Sequence, residues 1–406
     1  MRLKPFALGA IACACWGTGA VAQQAPPLGS ERQYHASASL RGVYDSNFAR
    51  SSKALADQRG IKQAEYTLTP RLDFSIVQPL GRQMLYASGG GGYQFHRENK
   101  NLDRVTADVL GGYIASLGFC QTSAMSSYRV AQSDLALLDT PGVKNTAQTT
   151  TISAGGQCGS AQGITGGLNV QRTEAKNSAA SQKQADSDTE GLTAQVGYAN
   201  PTFGRFALLY AYTNSEFPNR IIVGRPIGDG FFTQTIGLSG ERQLGSRIKV
   251  AATAGRTTVK REFAPPGVDQ KFTSNTYSGQ LTYKLGSRLT LDLEGARAVQ
   301  PTGRSGKLYD INTNGQISGA YKLGSRYLVT LGHQIQDIKS NVDTTLTPGQ
   351  LVITNSRTNT TFASIRYTQS QRISVTLDAR YDDRNANLSD FDYTSTRIGL
   401  SVDVGF

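Results

Sequence analysis

From Glu65 to Ile76 the chain alternates, with Tyr66, Leu68, Pro70, Leu72, Phe74 and Ile76 at the even positions and Glu65, Thr67, Thr69, Arg71, Asp73 and Ser75 at the odd ones. A period of two marks a strand with one apolar and one polar face. The same alternation returns at Tyr327, Val329, Leu331 and Ile335, and at Ile373, Val375, Leu377 and Ala379. Between such segments a short formula repeats: Gln243-Leu244-Gly245-Ser246-Arg247, Lys284-Leu285-Gly286-Ser287-Arg288 and Lys322-Leu323-Gly324-Ser325-Arg326. Weaker relatives lie near Gly81, Gly118, Gly159, Asn200 and Ser370, so eight short turns recur at a spacing of roughly forty residues. Longer polar segments separate them, among them Ala49 to Gly60, Gln132 to Asn145, Asn214 to Gly228, Pro301 to Asp310 and Lys339 to Ile353. Each turn joins two strands, and an opening strand near Tyr34 to Tyr44 and a closing one near Thr394 to Phe406 complete the set. The pattern predicts an all-β fold, a transmembrane antiparallel outer-membrane β-barrel of about 18 strands with short periplasmic turns and long extracellular loops. A barrel of that size keeps an aqueous channel inside.

The ends agree with export to that membrane. Arg2 and Lys4, the uncharged run from Phe6 to Trp16, and Ala20-Val21-Ala22 before Gln23 have the order of a cleaved secretory signal peptide. Residues 1–22 are read as that leader, 23–32 as a short periplasmic segment and 33–406 as the barrel. Mean hydropathy is −0.34 and 38 % of residues are hydrophobic, with no long apolar stretch after Gln23, which excludes a helical membrane protein. A soluble propeller would need four strands per repeat, and these repeats accommodate two long ones. At the other end Ile398, Leu400, Val402, Val404 and Phe406 share a face. A terminal aromatic of this kind resembles the signal read by the barrel assembly machinery, so Phe406 is the candidate assembly signal. The 18 Tyr and 15 Phe suit aromatic girdles.

Charge and chemistry narrow the function. The formal net charge is +12, but Lys and Arg are interspersed singly, which argues against a nucleic-acid partner and for a lumen that prefers anions. A charge facing lipid at the midplane costs roughly 2–4 kcal/mol, so the charged positions of the alternating strands face inward. That rule nominates Arg71, Asp73, Arg205, Arg247, Lys249, Asp292, Glu294, Arg366, Asp378, Arg380, Arg397 and Asp403 as lumen-lining residues of a transport path. Two loops carry apolar residues that need burial, Leu135 to Val143 and Phe217 to Ile227. The second, with Arg220, Ile221, Ile222, Val223 and Arg225, is the candidate constriction; packing between loops explains it equally well. HExxH, GxSxG, Walker and CxxC motifs are absent from the sequence, so no enzyme, metal or cofactor is expected. His96, beside Glu98, reads as a rim histidine in water. Gly89 to Gly92 lie inside a strand pattern, where glycines let the wall bend or another segment approach closely. Once the leader is removed, Cys120 and Cys158 remain, and a disulfide and two unpaired small residues stay equally open.

Gly42-Val43-Tyr44-Asp45-Ser46-Asn47-Phe48, followed after a polar loop by Tyr66-Thr67-Leu68-Thr69-Pro70, resembles the first hairpin of a β-barrel porin family associated with exopolysaccharide export systems of Gram-negative bacteria. The resemblance implies an outer-membrane channel exporting a surface exopolysaccharide, with periplasmic export components as partners, and carries over Asp45 and Asn47 as residues that order a strand end. Two alternatives stand beside it: a general or anion-preferring diffusion porin for small hydrophilic solutes, and an occluded structural or adhesive surface barrel.

Overall fold

A computed structural model describes residues 31–132, 144–220, 228–263, 270–302, 307–342 and 353–406. Residues 1–22, where the sequence predicts a leader, residues 23–30, Ile221, Ile222, Val223, Arg225 and the loop from Leu135 to Val143 lie outside the described residues. The strands are β1 (Gln33–Asp45), β2 (Glu65–Leu80), β3 (Gln83–His96), β4 (Arg104–Leu117), β5 (Cys120–Gln132), β6 (Thr146–Gly159), β7 (Gly163–Asn177), β8 (Ser187–Asn200) and β9 (Gly204–Phe217). They continue as β10 (Asp229–Leu244), β11 (Ile248–Arg261), β12 (Lys271–Leu285), β13 (Leu289–Pro301), β14 (Lys307–Leu323), β15 (Tyr327–Val342), β16 (Asn355–Thr368), β17 (Ile373–Ala386) and β18 (Tyr393–Gly405).

Every strand pairs antiparallel with its chain neighbours, and β1 pairs with β18 from Ser37 opposite Gly405 to Asp45 opposite Arg397. The result is one closed sheet of 18 strands, as the alternation and the turn count predict. Closure leaves no edge, so the strand amides and carbonyls are satisfied within the wall, the condition a bilayer imposes. Eight short turns lie on one rim and the longer connections on the other.

The turn formula has a physical reason. Gly245, Gly286 and Gly324 sit at φ of 62°, 68° and 68°, a conformation that a side chain disfavours. Nothing crowds their Cβ positions, so backbone conformation alone selects glycine. Each turn is also tied to the following hairpin, because the carbonyls of Arg247, Arg288 and Arg326 accept from the N–H groups of Lys284, Lys322 and Thr368, each at 2.8 Å.

The two faces divide by register. Residues directly opposite each other point the same way, so the pairing of Leu72 with Ala38 and of Asp73 with Ser37 and Gly90 carries one parity around the barrel. Outward lie exposed apolar residues such as Leu72, Ile236, Leu238, Leu331, Leu377 and Leu400, a surface that suits lipid. Tyr44 packs on Tyr66 near the loop rim and Tyr327 on Tyr367 near the turn rim, at centroid separations of 4.8 and 4.9 Å, where aromatic girdles belong. Cys120 and Cys158, directly opposite on β5 and β6, form a disulfide beside the turn rim, which resolves the alternative the sequence leaves open. Replacing both (Cys120→Ser with Cys158→Ser) should lower stability by about 2–4 kcal/mol, less where the hairpin already restrains the chain. The check is the midpoint of heat unfolding in detergent, with and without reductant; a double variant that melts with the reduced wild type, below the oxidised one, is the expected result.

Candidate functional site

The inner face is the candidate site, and its charges are built as pairs. Arg71 on β2 donates from Nε to Asp73 at 2.7 Å and from Nη2 to Asp108 on β4 at 2.6 Å. To reach Asp108 the guanidinium crosses β3 at Gly90, where a Cβ would stand 2.5 Å from Arg71 Nη2 and 2.1 Å from Asp73 Oδ1. Gly90 is therefore required by close approach, and the glycine run seats an ion pair. The same device recurs where Arg41 on β1 reaches Asp378 on β17 at 3.0 Å, across Gly399 of β18. A Cβ at Gly399 would lie 2.7 Å from Asp378 Oδ1.

A denser cluster joins the ends of the chain near the loop rim. Asp382 accepts from Arg380 Nε at 2.7 Å and Thr360 Oγ1 at 2.6 Å, with Arg397 at 3.6 Å and Arg50 at 3.9 Å. Arg50 also donates to Asp45 at 2.6 Å. The other Asp45 oxygen accepts from the Asn47 N–H and from Ser395 Oγ, while Asn47 Nδ2 donates to the Ser51 carbonyl. Asp45 and Asn47 thus order the end of β1 and its junction with β18.

The remaining nominated residues spread along the wall. Lys249 pairs with Glu241 at 2.9 Å, Asp292 accepts from Thr282, Glu294 from Gln280, and Asp403 lies 3.5 Å from Ser374 Oγ. Arg366 donates to Ser374 at 3.3 Å, and Arg205 stands opposite Glu241. By register all of these share the face of Arg71. Arg247 does not belong to the wall: it sits exposed in the turn between β10 and β11, because the glycine turn begins two residues before it. Phe406 is exposed at the turn rim, and its N–H donates to the Ala36 carbonyl at 2.8 Å. Sequence reasoning missed Asp108, Glu241 and Asp382, which pair with nominated cations, and Arg41, which pairs with nominated Asp378. A signal was available in the strand parity that puts Gly90 and Asp108 on the same face.

Among the described residues, the element that leans into the barrel is the loop end of the β13–β14 hairpin; residues 221–227 of the candidate constriction lie outside them. Pairing of β12 with β13 stops at Tyr277 opposite Arg297, although β12 continues to Lys271. Above that point Val299 of β13 packs with Phe217, Phe231 and Val259. Those three face inward from β9, β10 and β11, whereas Val299 has outward parity. Val299 meets them only if the loop end of the β13–β14 hairpin folds over the inside of its neighbours, and the stack of Phe272 on Tyr309, 4.1 Å apart, fits that fold. The Pro301 to Asp310 segment, an outer loop by polarity, is thus the inward one on its described residues.

Arg220, nominated within the constriction loop, anchors this hairpin. Its Nη1 donates to Asp229 at 3.0 Å, its Nη2 to the Thr302 carbonyl, and it stacks on Phe217 at 4.1 Å. Asp229 takes a second pair from Arg261 Nε at 3.0 Å, and all three side chains are at most 2 % exposed. His96 is held too, its Nδ1 3.2 Å from Asp103 and its ring 5.2 Å from Phe48; it orders a rim turn. No cluster of three or more His, Cys, Asp or Glu able to hold a metal occurs among the described residues.

No protein-family model matches the chain, and no curated protein matches it in sequence. Solved structures match it in shape. OccK2 (OpdF) of Pseudomonas aeruginosa is 15 % identical and covers 92 % of this chain and 98 % of its own, with a TM-score of 0.50. The same protein in complex with glucuronate gives 13 %, with the same coverages and TM-score. The likeness is one of fold. The chain has the 18-stranded barrel architecture of OccK-type outer-membrane porins.

Removing the carboxylate at Asp229 leaves two buried guanidiniums without their counter-charge, a loss of about 3–5 kcal/mol. Asp229→Ala should therefore unfold at lower temperature in detergent and release the hairpin, seen as a larger and noisier single-channel conductance. Unchanged melting and conductance would mean that the Arg220–Asp229–Arg261 cluster holds nothing.

Proposed function

We propose that this chain is an outer-membrane diffusion porin for small hydrophilic solutes, with the β13–β14 hairpin narrowing its lumen. The observation that carries this reading is the inner wall: hydroxyls, amides and ion pairs around a closed barrel, with one hairpin folded inward. Ser127, Thr149, Thr151, Gln171 and Thr173 line the inner face on the β5 to β7 side, where solutes meet neutral hydrogen-bonding groups. Small uronates are a reasonable solute class, since OccK2, similar in fold, is known in complex with glucuronate. The outer position follows from the lipid-facing belt, with the short turns on the periplasmic side.

Export of an exopolysaccharide rests on the likeness around Asp45-Ser46-Asn47 alone, and in the fold these residues tie β1 to β18. That role suits any barrel of this closure and favours no polymer. A lumen narrowed by an inward hairpin suits a small solute better than a continuous glycan chain.

Liposome swelling tests this. Vesicles holding the purified barrel should admit glucose and glucuronate and exclude oligosaccharides of several residues. Admission of long chains at similar rates would favour export, and entry of nothing would favour the occluded surface barrel. The orientation has its own check: Ser178→Cys and Asn341→Cys should react with an impermeant thiol reagent on intact cells, and labelling of Ser287→Cys there would reverse the assignment.

A further inference from the structure

The positive charge of this protein does not sit where the alternation first suggests. In the wall, Arg71, Arg41, Lys249, Arg380 and Arg397 face Asp73, Asp108, Asp378, Glu241 and Asp382 within 4 Å. Arg205 and Arg366 have no ion pair among the described residues, and a further set of unpaired cations lies on the turn rim. Four consecutive turns, from the β10–β11 turn to the β16–β17 turn, carry Arg247, Arg288, Arg326 and Arg372, and Lys284 and Lys322 stand just before the second and third. All six are exposed and have no ion pair among the described residues. No Asp or Glu occurs in these turns. Glu241, Asp292 and Asp403, on the inner wall, are engaged by Lys249, Thr282 and Ser374.

The arc is built rather than scattered. Arg247, Arg288, Arg326 and Arg372 occupy one equivalent position, since each carbonyl accepts an N–H from the next hairpin or from β18, at 2.7 to 2.8 Å. Successive turns are two strand spacings apart along the rim, roughly 10 Å. Lys284 and Lys322 have inward parity, paired with Thr290 and Leu328 on the lumen face, so the charge borders the mouth and not the lipid belt alone. The opposite side of the same rim is different in kind, with Leu117, Phe119, Ile164 and Phe203 exposed and no charged residue in the turns that hold Phe119 and Phe203.

We propose that this basic arc at the short-turn mouth is a binding site for multivalent anions, chains bearing carboxylates or phosphates at spacings that reach two or more turns at once. A monovalent anion meets one guanidinium in water and gains little, whereas each further contact of a chain is intramolecular and multiplies affinity. The Debye length is ~30 Å at 0.01 M salt and ~8 Å at 0.15 M, so the arc acts across the mouth at low salt and along its own side at physiological salt. The site faces one compartment, and its effect on the channel is one-sided.

The inference rests on the channel reading for its electrical readout and on binding for its independent one. In planar bilayers, with the turn rim identified by one-sided thiol modification of Ser287→Cys, a short oligogalacturonate added on the turn side should block current, while addition on the loop side should not. The fourfold variant Arg247→Gln, Arg288→Gln, Arg326→Gln and Arg372→Gln, whose changes are all exposed turn residues, should need at least about tenfold more oligoanion for half block. Fluorescently labelled oligogalacturonate should bind the detergent-solubilised wild type and lose the same factor in the variant, whether or not the barrel conducts. Equal block from both sides, a variant that binds as wild type does, or binding of phosphatidylglycerol vesicles but not of the oligoanion would overturn the proposal. A barrel that binds the oligoanion yet passes no current would sink the porin reading and leave the site standing.

Discussion

The fold hangs on the pairing of β1 with β18. A sheet in a bilayer has no water to satisfy an open edge, and each unpaired amide or carbonyl there costs several kcal/mol, so the eighteenth strand must find the first. The register from Ser37–Gly405 to Asp45–Arg397 meets that demand. It also brings the polar residues of both chain ends to one place. Asp45 and Arg50 from the start and Arg380, Asp382, Ser395 and Arg397 from the end form a single cluster of hydrogen bonds and ion pairs. Closure thus fixes a charge network that neither terminus could assemble alone.

Alternation made the wall legible because it reports a single binary choice, lipid or water, at every position. The strand number, the eight short turns and the face of nearly every nominated residue follow from it. What alternation does not encode is the partner of a charge two strands away. Arg71 meets Asp108 only because β3 runs between them and offers Gly90, a relation that needs the register of three strands. Arg247 was misplaced for a local reason, since period two continues on paper through a turn that the left-handed glycine has already broken. The disulfide stayed an open alternative for a similar reason, because Cys120 and Cys158 become neighbours only through the pairing of β5 with β6.

The inward hairpin was not legible in the pattern. The Pro301 to Asp310 segment is polar and reads as an outer loop, while Phe217 to Ile227 is apolar and reads as one that must hide. Apolar residues do hide here, but the wall supplies many of them: Phe217, Phe231 and Val259 are the inner-face ends of their strands, and the hairpin comes to cover them. Arg220 then serves as a bracket, one end on Asp229 and the other on the hairpin backbone. Buried, it holds the hairpin over the inner face and is itself shielded from water.

Charge pairing separates two properties that net charge confuses. Where a wall cation lies within 4 Å of a carboxylate, as Arg71, Arg41, Lys249, Arg380 and Arg397 do, the pair presents a dipole, and a dipole field falls off faster than that of a lone charge. Cations without near carboxylates carry the longer-range field; Arg205 and Arg366 are two on the wall, and the turn rim adds more at a regular spacing. Their position also explains why they remain unpaired. A guanidinium in the wall must cross neighbouring strands in a confined space and is stabilised by a carboxylate there, whereas one in a turn has water around it and requires none. The same solvent exposure that frees the arc from ion pairs leaves it accessible to ligands, and the backbone bonds from each turn to the next strand hold its charges in register.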